Sequence, residues 1–293
     1  MFEKISNSVF VDVSGKTIGN VGIIIAEKSI AIDSSMFPKI GNEIQRFMEN
    51  QGKDSLGVIL THYHADHSWG STAFKDKAII AHEFILENMK NALKERWSND
   101  AIKSLIAAKP EYKELLGENF KPVLPNTIFS GNEYTISDFS GLKLYHVGGH
   151  TNGSTIAYYE KEDVLFAGDT LFAKEYPWGG DVTADPYLWI NALDLIIELR
   201  PKIIIPGHGP VQDSLEEVKH HKMYFEAIVQ TGERMYCQKR IDDQVIAILG
   251  KIGFYSSKAE ERKYATLKQF YRKIKALAKA KKSGYDVEKK NKH

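Results

Sequence analysis

The stretch Gly57-Val58-Ile59-Leu60-Thr61-His62-Tyr63-His64-Ala65-Asp66-His67 runs from an apolar segment into three of the chain's ten histidines. An apolar run of this length bounded by polar residues predicts a buried strand. The histidines therefore stand at the strand's C-terminal mouth. In extended chain, residues i and i+2 point the same way, so His62 and His64 can reach one ion. Ser68, Gly70 and Ser71 signal a turn and then a helix, which turns Asp66 and His67 toward a second point. Imidazole nitrogen with some carboxylate oxygen suits zinc, with iron and manganese as the alternatives.

Four donors in one loop cannot complete two tetrahedral sites, so others must come from elsewhere. Three further strands end near a donor flanked by glycine. His150 follows the strand 142–147 and Gly148-Gly149, which allow close backbone approach. Asp169 follows the strand 164–167. His208 follows the strand 202–205 and lies between Gly207 and Gly209. Three such endings added to the first cluster are not a coincidence of composition.

Working outward, two β-rich halves emerge, each with helices. "SVFVDV", "NVGIIIA" and "SIAID" open the first half, a helix is predicted over 41–50, and "AIIA" at 78–81 is a further strand. Residues 83–116 read as a helical insertion broken near Ser98 and Pro110, able to serve as a lid. "EYTIS", "LKLYHV", "STIAYYE" and "DVLFAG" are the strands of the second half. A helix starts at Asp185-Pro186 and stops before Pro201, and past Val211 only helices are expected. The domain reading is a core over 1–212 and a C-terminal helical extension over 213–293.

Bulk properties exclude several classes. Of 293 residues 43% are apolar and 26% charged, as in ordinary globular proteins. A net charge of +1 offers no field for nucleic acid or anionic lipid. No apolar run reaches the roughly 20 residues of a membrane span, and "MFEKISNSVFVDV" lacks the features of a secretory leader. The expectation is a cytoplasmic protein acting on a small molecule, with neither nucleic acid nor membrane as partner. The C-terminal or insertion helices could form the seam of a homodimer. The single Cys237 excludes an internal disulfide and is read as a buried small residue. His82 and His146 are read as structural, and His220, His221 and His293 as surface residues. The lysine-rich 273–292 reads as a solvated face and a frayed tail.

The set His62-x-His64-x-Asp66-His67, His150, Asp169 and His208 resembles the metallo-β-lactamase superfamily, and Asn20-Val21-Gly22 and Asp33 resemble that family's opening strands. The resemblance covers roughly residues 5–212. It implies an α/β fold, a four-layer αββα sandwich with a two-metal site along one sheet edge, here carrying the helical insertion and C-terminal helices. It assigns His62, His64 and His150 to a first metal, and Asp66, His67 and His208 to a second. Asp169 would bridge the two, and Asp33 would orient the metal loop by hydrogen bonds.

Two such metals would make the protein a hydrolase attacking a carbonyl carbon, or phosphorus, with a bridging hydroxide. Asp66 would help to shuttle the proton. Asp169 stands where some β-lactamases carry a cysteine ligand, and Phe172 where lactonases of acyl-homoserines carry a tyrosine. "GDTLF" and "THYHADH" are similar to glyoxalase II. "AKEYPWGGD" is not, and is similar instead to uncharacterised metallo-hydrolases of the superfamily. Phe172, Tyr176 and Trp178 are the candidate pocket wall, which favours a small ester, thioester or lactone. The alternatives are a one-iron persulfide dioxygenase using His62, His150 and Asp169, and a phosphodiesterase or nuclease. Weak β-lactam hydrolysis is a conceivable side activity.

Overall fold

The computed structural model describes residues 2–117, 119–257 and 259–282. Along the chain the strands are β1 (Glu3–Lys4), β2 (Val9–Asp12), β3 (Val21–Ile25), β4 (Ser29–Ile32), β5 (Ser55–Ile59), β6 (Ala78–His82), β7 (Thr127–Phe129), β8 (Glu133–Thr135), β9 (Leu142–His146), β10 (Thr155–Tyr159), β11 (Val164–Phe172) and β12 (Ile203–His208). The α-helices are α1 (Pro38–Asn50), α2 (Ala65–Ser68), α3 (Glu83–Lys94), α4 (Asn99–Ala108), α5 (Tyr112–Leu116), α6 (Pro186–Leu199), α7 (Glu216–Cys237), α8 (Asp242–Leu249) and α9 (Glu260–Lys282), and a 3-10 helix spans Trp69–Phe74.

The strands form two sheets, β1 to β7 in chain order and β12-β11-β10-β9-β8. The alternation along each strand explains how they stack. Ile24, Ile30, Ile32 and Ile59 face one core, shared with Leu144, Ala157, Tyr159 and Phe166 of the second sheet. Their neighbours Ile23, Ala31 and Val58 face the other way, into a core with Ile44 and Met48 of α1 and Ile85 of α3. On the second sheet Ile156, Tyr158 and Leu165 alternate outward, against Trp189 of α6, Phe225 of α7 and Phe270 of α9. Because successive side chains leave opposite faces, near-continuous apolar strands can supply two cores at once. The outcome is helices, sheet, sheet, helices: the αββα sandwich expected from the sequence.

Several local expectations need correction. Strand β11 does not stop at Ala167; it continues through Asp169 to Phe172, held parallel to β12 with register shifts around Gly168. The metal-type aspartate thus lies inside a bulged strand rather than in the loop after it. His221 is fully buried on the inner face of α7, against Phe225 and Phe254, and His220 is half-buried. Both were expected at the surface, but α8 and the following turn cover that side of α7. Cys237, expected buried, is exposed at the last residue of α7. His293 and residues 283–292 lie outside the described residues. Among the described residues no helix is long and apolar enough to cross a membrane.

Phe166 is where the sheets touch: a side chain on Gly22 of β3 would stand 2.1 Å from its ring. Truncating so large a buried ring leaves a cavity that strands on both sides cannot close. Phe166→Ala is expected to cost about 3–5 kcal/mol, read from the denaturant midpoint of equilibrium unfolding.

Candidate metal centre

The apolar strand β5 delivers Thr61 to His67 to the rim where both sheets end. Thr61 bonds across to the second sheet, its carbonyl accepting from Thr155 N at 2.8 Å. Its side chain sits against Gly168, where a Cβ would stand 2.5 Å from Thr61 Oγ1. Gly168 has φ +50, so glycine there serves both the bulge and the close approach. Asn20 clips the His208 loop to the first sheet, donating from Nδ2 to Pro206 O at 2.9 Å and Gly209 O at 2.8 Å. Gly149 lies against Trp189 of α6, with room for no Cβ (2.7 Å to Trp189 Cα), which sets His150 over the same rim.

These constraints gather the seven donors into two groups. His62, His64, His150 and Asp169 form one, and Asp66, His67 and His208 the other. Asp169 faces both. Its Oδ2 is 3.3 Å from His150 Nε2 and 3.6 Å from His62 Nε2, while its Oδ1 is 3.0 Å from His67 Nε2 and 3.4 Å from His208 Nε2. Asp66 Oδ2 is 3.4 Å from His208 Nε2 and closes the second group.

Hydrogen bonds behind the donors choose which nitrogen faces inward. Asp33 accepts from Thr61 N at 2.8 Å, from Thr61 Oγ1 at 2.7 Å and from His67 Nδ1 at 2.8 Å. Since the Thr61 hydroxyl donates to Asp33, it accepts from His62 Nδ1 at 3.1 Å. One carboxylate therefore engages the Nδ1 side of both rings and turns Nε2 of His62 and of His67 toward the interior. Asp33 adopts φ +60 to do so, a backbone position costly for a residue with a Cβ. His64 is reversed: its Nε2 donates to Asp181 Oδ2 at 3.2 Å, and its Nδ1 lies 2.9 Å from His150 Nε2.

The sequence reading missed Asp181. It lies within the "YPWGGD" segment, is almost wholly buried, and also accepts from the hydroxyls of Tyr63 and Thr183. Its position as the last residue of that segment was the available signal, but its partner His64 is 117 residues away and could not be read from spacing.

The donor chemistry fits divalent cations. His62 Nε2 and Asp169 Oδ1 are buried and make no hydrogen bond, although orphaned buried polar atoms are costly. Burial pushes His150 down to about 3 and His62 well below its usual range, so both offer lone pairs. For Asp169 burial opposes charge, but His67 and His208 outweigh it and hold the carboxylate ionised. Burial likewise opposes charge on His208, yet Asp169 and Asp66 raise it to about 9. The same aspartates with Asp33 raise His67.

Beside the donors a cavity of about 210 Å³ is lined by His64, Asp66, Asp169, Phe172, Trp178, His208 and Arg262. It adjoins one of about 610 Å³ that adds Tyr176, Lys174, Ser256 and Ser257. The three expected wall residues Phe172, Tyr176 and Trp178 thus all line the cleft. None of these lining residues belongs to 83–116; the C-terminal extension supplies that side of the wall.

Two predictions follow from this geometry. A Cβ on Gly207 would lie 2.0 Å from Asp169 Oδ1, so Gly207→Ala should displace the shared carboxylate and lower metal content per chain while leaving the circular dichroism spectrum intact. The second group must shed the protons of both His67 and His208 to take an ion. Its metal affinity should therefore climb as pH rises through about 9, where His208 loses its proton, whereas His150, held at about 3, adds no such dependence to the first group between pH 6 and 9. In the metal-free protein the sign reverses: a raised histidine stabilises below its ordinary 6.5 and loses that contribution as pH rises through about 9.

Comparison with known proteins agrees with this architecture. The model of the metallo-β-lactamase superfamily matches residues 14–208. A protein named metallo-β-lactamase type 2 from Bacillus sp. (strain 170) is 26% identical over 207 residues, 68% of this chain and 70% of its own. The probable metallo-hydrolase YqgX of Bacillus subtilis is 24% identical, over 60% of this chain and 79% of its own. A hydroxyacylglutathione hydrolase of Brucella ovis is 25% identical, over 53% and 48%. Among solved structures the DIM-1 metallo-β-lactamase shares the fold, with TM-score 0.59 and 20% identity over 78% of this chain and 97% of its own. Matched by family model along its two sheets and holding two histidine–aspartate clusters at their common rim, the chain belongs to the metallo-β-lactamase superfamily and is a metal-dependent hydrolase.

Proposed function

We propose that the protein hydrolyses a small ester, thioester or lactone at a centre of two divalent ions, zinc first among the candidates. The observation that carries this reading is Asp169, whose two oxygens face two separate donor groups beside an aromatic cleft. Two bound cations there would supply Lewis acidity and a water acidified toward neutral pH. His62, His64 and His150 would hold the first ion, and Asp66, His67 and His208 the second, with Asp169 shared between them.

The chain's own residues do the rest. Asp33 and Asp181 hold three imidazoles in their required orientations, so once His67 has given up its proton little reorganisation is left to binding. Asp66, its side chain 26% exposed and lining the cleft, would help to shuttle the proton from the attacking water to the leaving group. Phe172 stacks on His208 with ring centroids 5.1 Å apart. Trp178 lies edge-on to His64 at 5.1 Å. Together they offer apolar surface for an acyl group and exclude water from the reacting carbonyl.

The test is metal analysis with a substrate panel of esters, thioesters, lactones and a β-lactam. Two zinc-type ions per chain with turnover of the acyl compounds are expected, with β-lactam hydrolysis at most a slow side reaction. Asp169→Ala should lose metal and at least about a hundredfold in kcat/KM. A single iron per chain with oxygen consumption on a persulfide would overturn the reading in favour of dioxygenase chemistry.

A further inference from the structure

Glu217, in the first turn of α7, is almost wholly buried and lies outside the donor groups. Its two carboxylate oxygens engage two different parts of the chain. Oε2 accepts from Lys174 N at 3.1 Å, and Oε1 accepts from the Tyr255 hydroxyl at 2.6 Å. A carboxylate at the amino end of a 22-residue helix is favoured by the unpaired N–H groups there. The hydrogen bond to Glu217 pushes the Tyr255 phenol up to about 12, so it remains a donor across neutral pH. A buried carboxylate bonded at both oxygens holds its partners firmly, because breaking either bond strands a polar group.

Each arm ends at a wall of the cleft. The inner arm holds the turn after β11, which Glu175 N closes by donating to Phe172 O at 3.3 Å. Lys174 sits in that turn at φ +58, a left-handed position unfavourable to a residue with a Cβ. Phe172, two residues earlier, stacks on His208, and Ala173 N donates to His208 O at 2.9 Å. The outer arm holds Tyr255, next in the chain to Ser256 and Ser257. Lys174, Tyr176, Ser256 and Ser257 line the cavity of about 610 Å³ and have no part in the inner one of about 210 Å³. Glu217 thus joins the two stretches of wall that belong to the outer cavity alone. A second tie runs beside it: Phe254 stacks on Tyr224, whose hydroxyl meets that of Tyr176 at 2.8 Å. That tie is an apolar stack on the side of residues 254–257, so the directional hold on them comes from the carboxylate.

We propose that Glu217 is a positioning residue: by holding Lys174 and Tyr255 at a fixed separation it sets the width of the outer cavity, and with it the affinity for the part of the substrate that extends past Phe172. This rests on the hydrolytic reading above and adds the place where selectivity for substrate length arises. Glu217 takes no part in the reaction of the carbonyl. A change there acts on binding of the extended part and leaves the chemical step to the metal donors.

The test gives the zinc-loaded full chain phenyl acetate and 4-butylphenyl acetate, which present the same carbonyl and differ in reach. Glu217→Ala should raise KM for the longer ester at least about tenfold, while kcat and the KM of the shorter ester stay within about twofold. Glu217→Gln should keep wild-type values, since its amide oxygen can accept from Lys174 N while its amide N–H donates to the Tyr255 oxygen. Equal changes in KM for both esters, a fall in kcat alone, or a Gln variant as impaired as the Ala variant overturns the proposal. Tyr255→Phe cuts only the outer arm and should give a smaller rise in KM, again confined to the longer ester. Should Glu217→Ala not fold, Tyr255→Phe decides, and an unchanged ratio of the two KM values overturns the proposal. Calorimetry with phenol and 4-butylphenol needs no turnover and separates the two claims. Hydrolysis of neither ester refutes the hydrolase reading; a preference for 4-butylphenol that is lost in Glu217→Ala and kept in Glu217→Gln still upholds the positioning role. Hydrolysis of both esters, with that preference unaltered in Glu217→Ala, refutes the positioning role and leaves the hydrolase reading standing.

Discussion

A carboxylate buried among four imidazoles is stable only where positive charge gathers around both of its oxygens. Asp169 is in that position, and much of the fold follows from what it needs. Gly207 must lack a side chain to admit Oδ1. The bulge at Gly168 must turn β11 so that Asp169 faces the rim rather than a core. Thr61 must fill the space the bulge leaves. Isolated burial of such a charge would cost several kcal/mol. Protonated His67 and His208 offset that cost when no metal is bound, and cations would take over the same role in the working enzyme. The imidazoles of the first group gain no such attraction from one another, and both sheets, through Thr61 to Thr155 and Asn20 to the His208 loop, hold the ends that carry the donors in register.

The orienting groups divide the work unevenly. Asp33, on the first sheet, governs His62 through Thr61 and governs His67 directly. Asp181, on the long connection after β11, governs His64 alone. Arg96 from the insertion approaches Asp181 at 3.8 Å and lies over the Tyr63 ring. The insertion thus bears on the centre through its outer carboxylate, whereas the C-terminal helices bear on the cleft wall. The metal-type donors and the outer cleft wall thus come from different parts of the chain that meet at Trp178.

The isoleucines across β3 to β5 divide between two cores in the structure, because a strand's side chains have no choice but to alternate. "THYHADH" was legible for the same reason: its donors are neighbours in sequence, and strand geometry alone aims the first pair. Asp33 entered through resemblance rather than geometry, since its partners Thr61 and His67 are 28 and 34 residues away. Asp181 and Arg262 carried no such pattern. Cys237 and His221 were misjudged because residue type predicts burial only on average, and which face of α7 is covered depends on where α8 and α9 come to rest.

Sequence by itself determined the donor inventory and the strands that end in those donors, because each rests on periodicity or on a contact between near neighbours; the sandwich entered through the resemblance those donors carry. Tertiary structure alone decided that Asp169 faces two groups, that His64 is held by its Nε2, and that α9 walls the cleft. Those facts depend on long-range hydrogen bonds and on glycines whose missing side chains make room for groups far away in the chain, and no local pattern encodes such a distance.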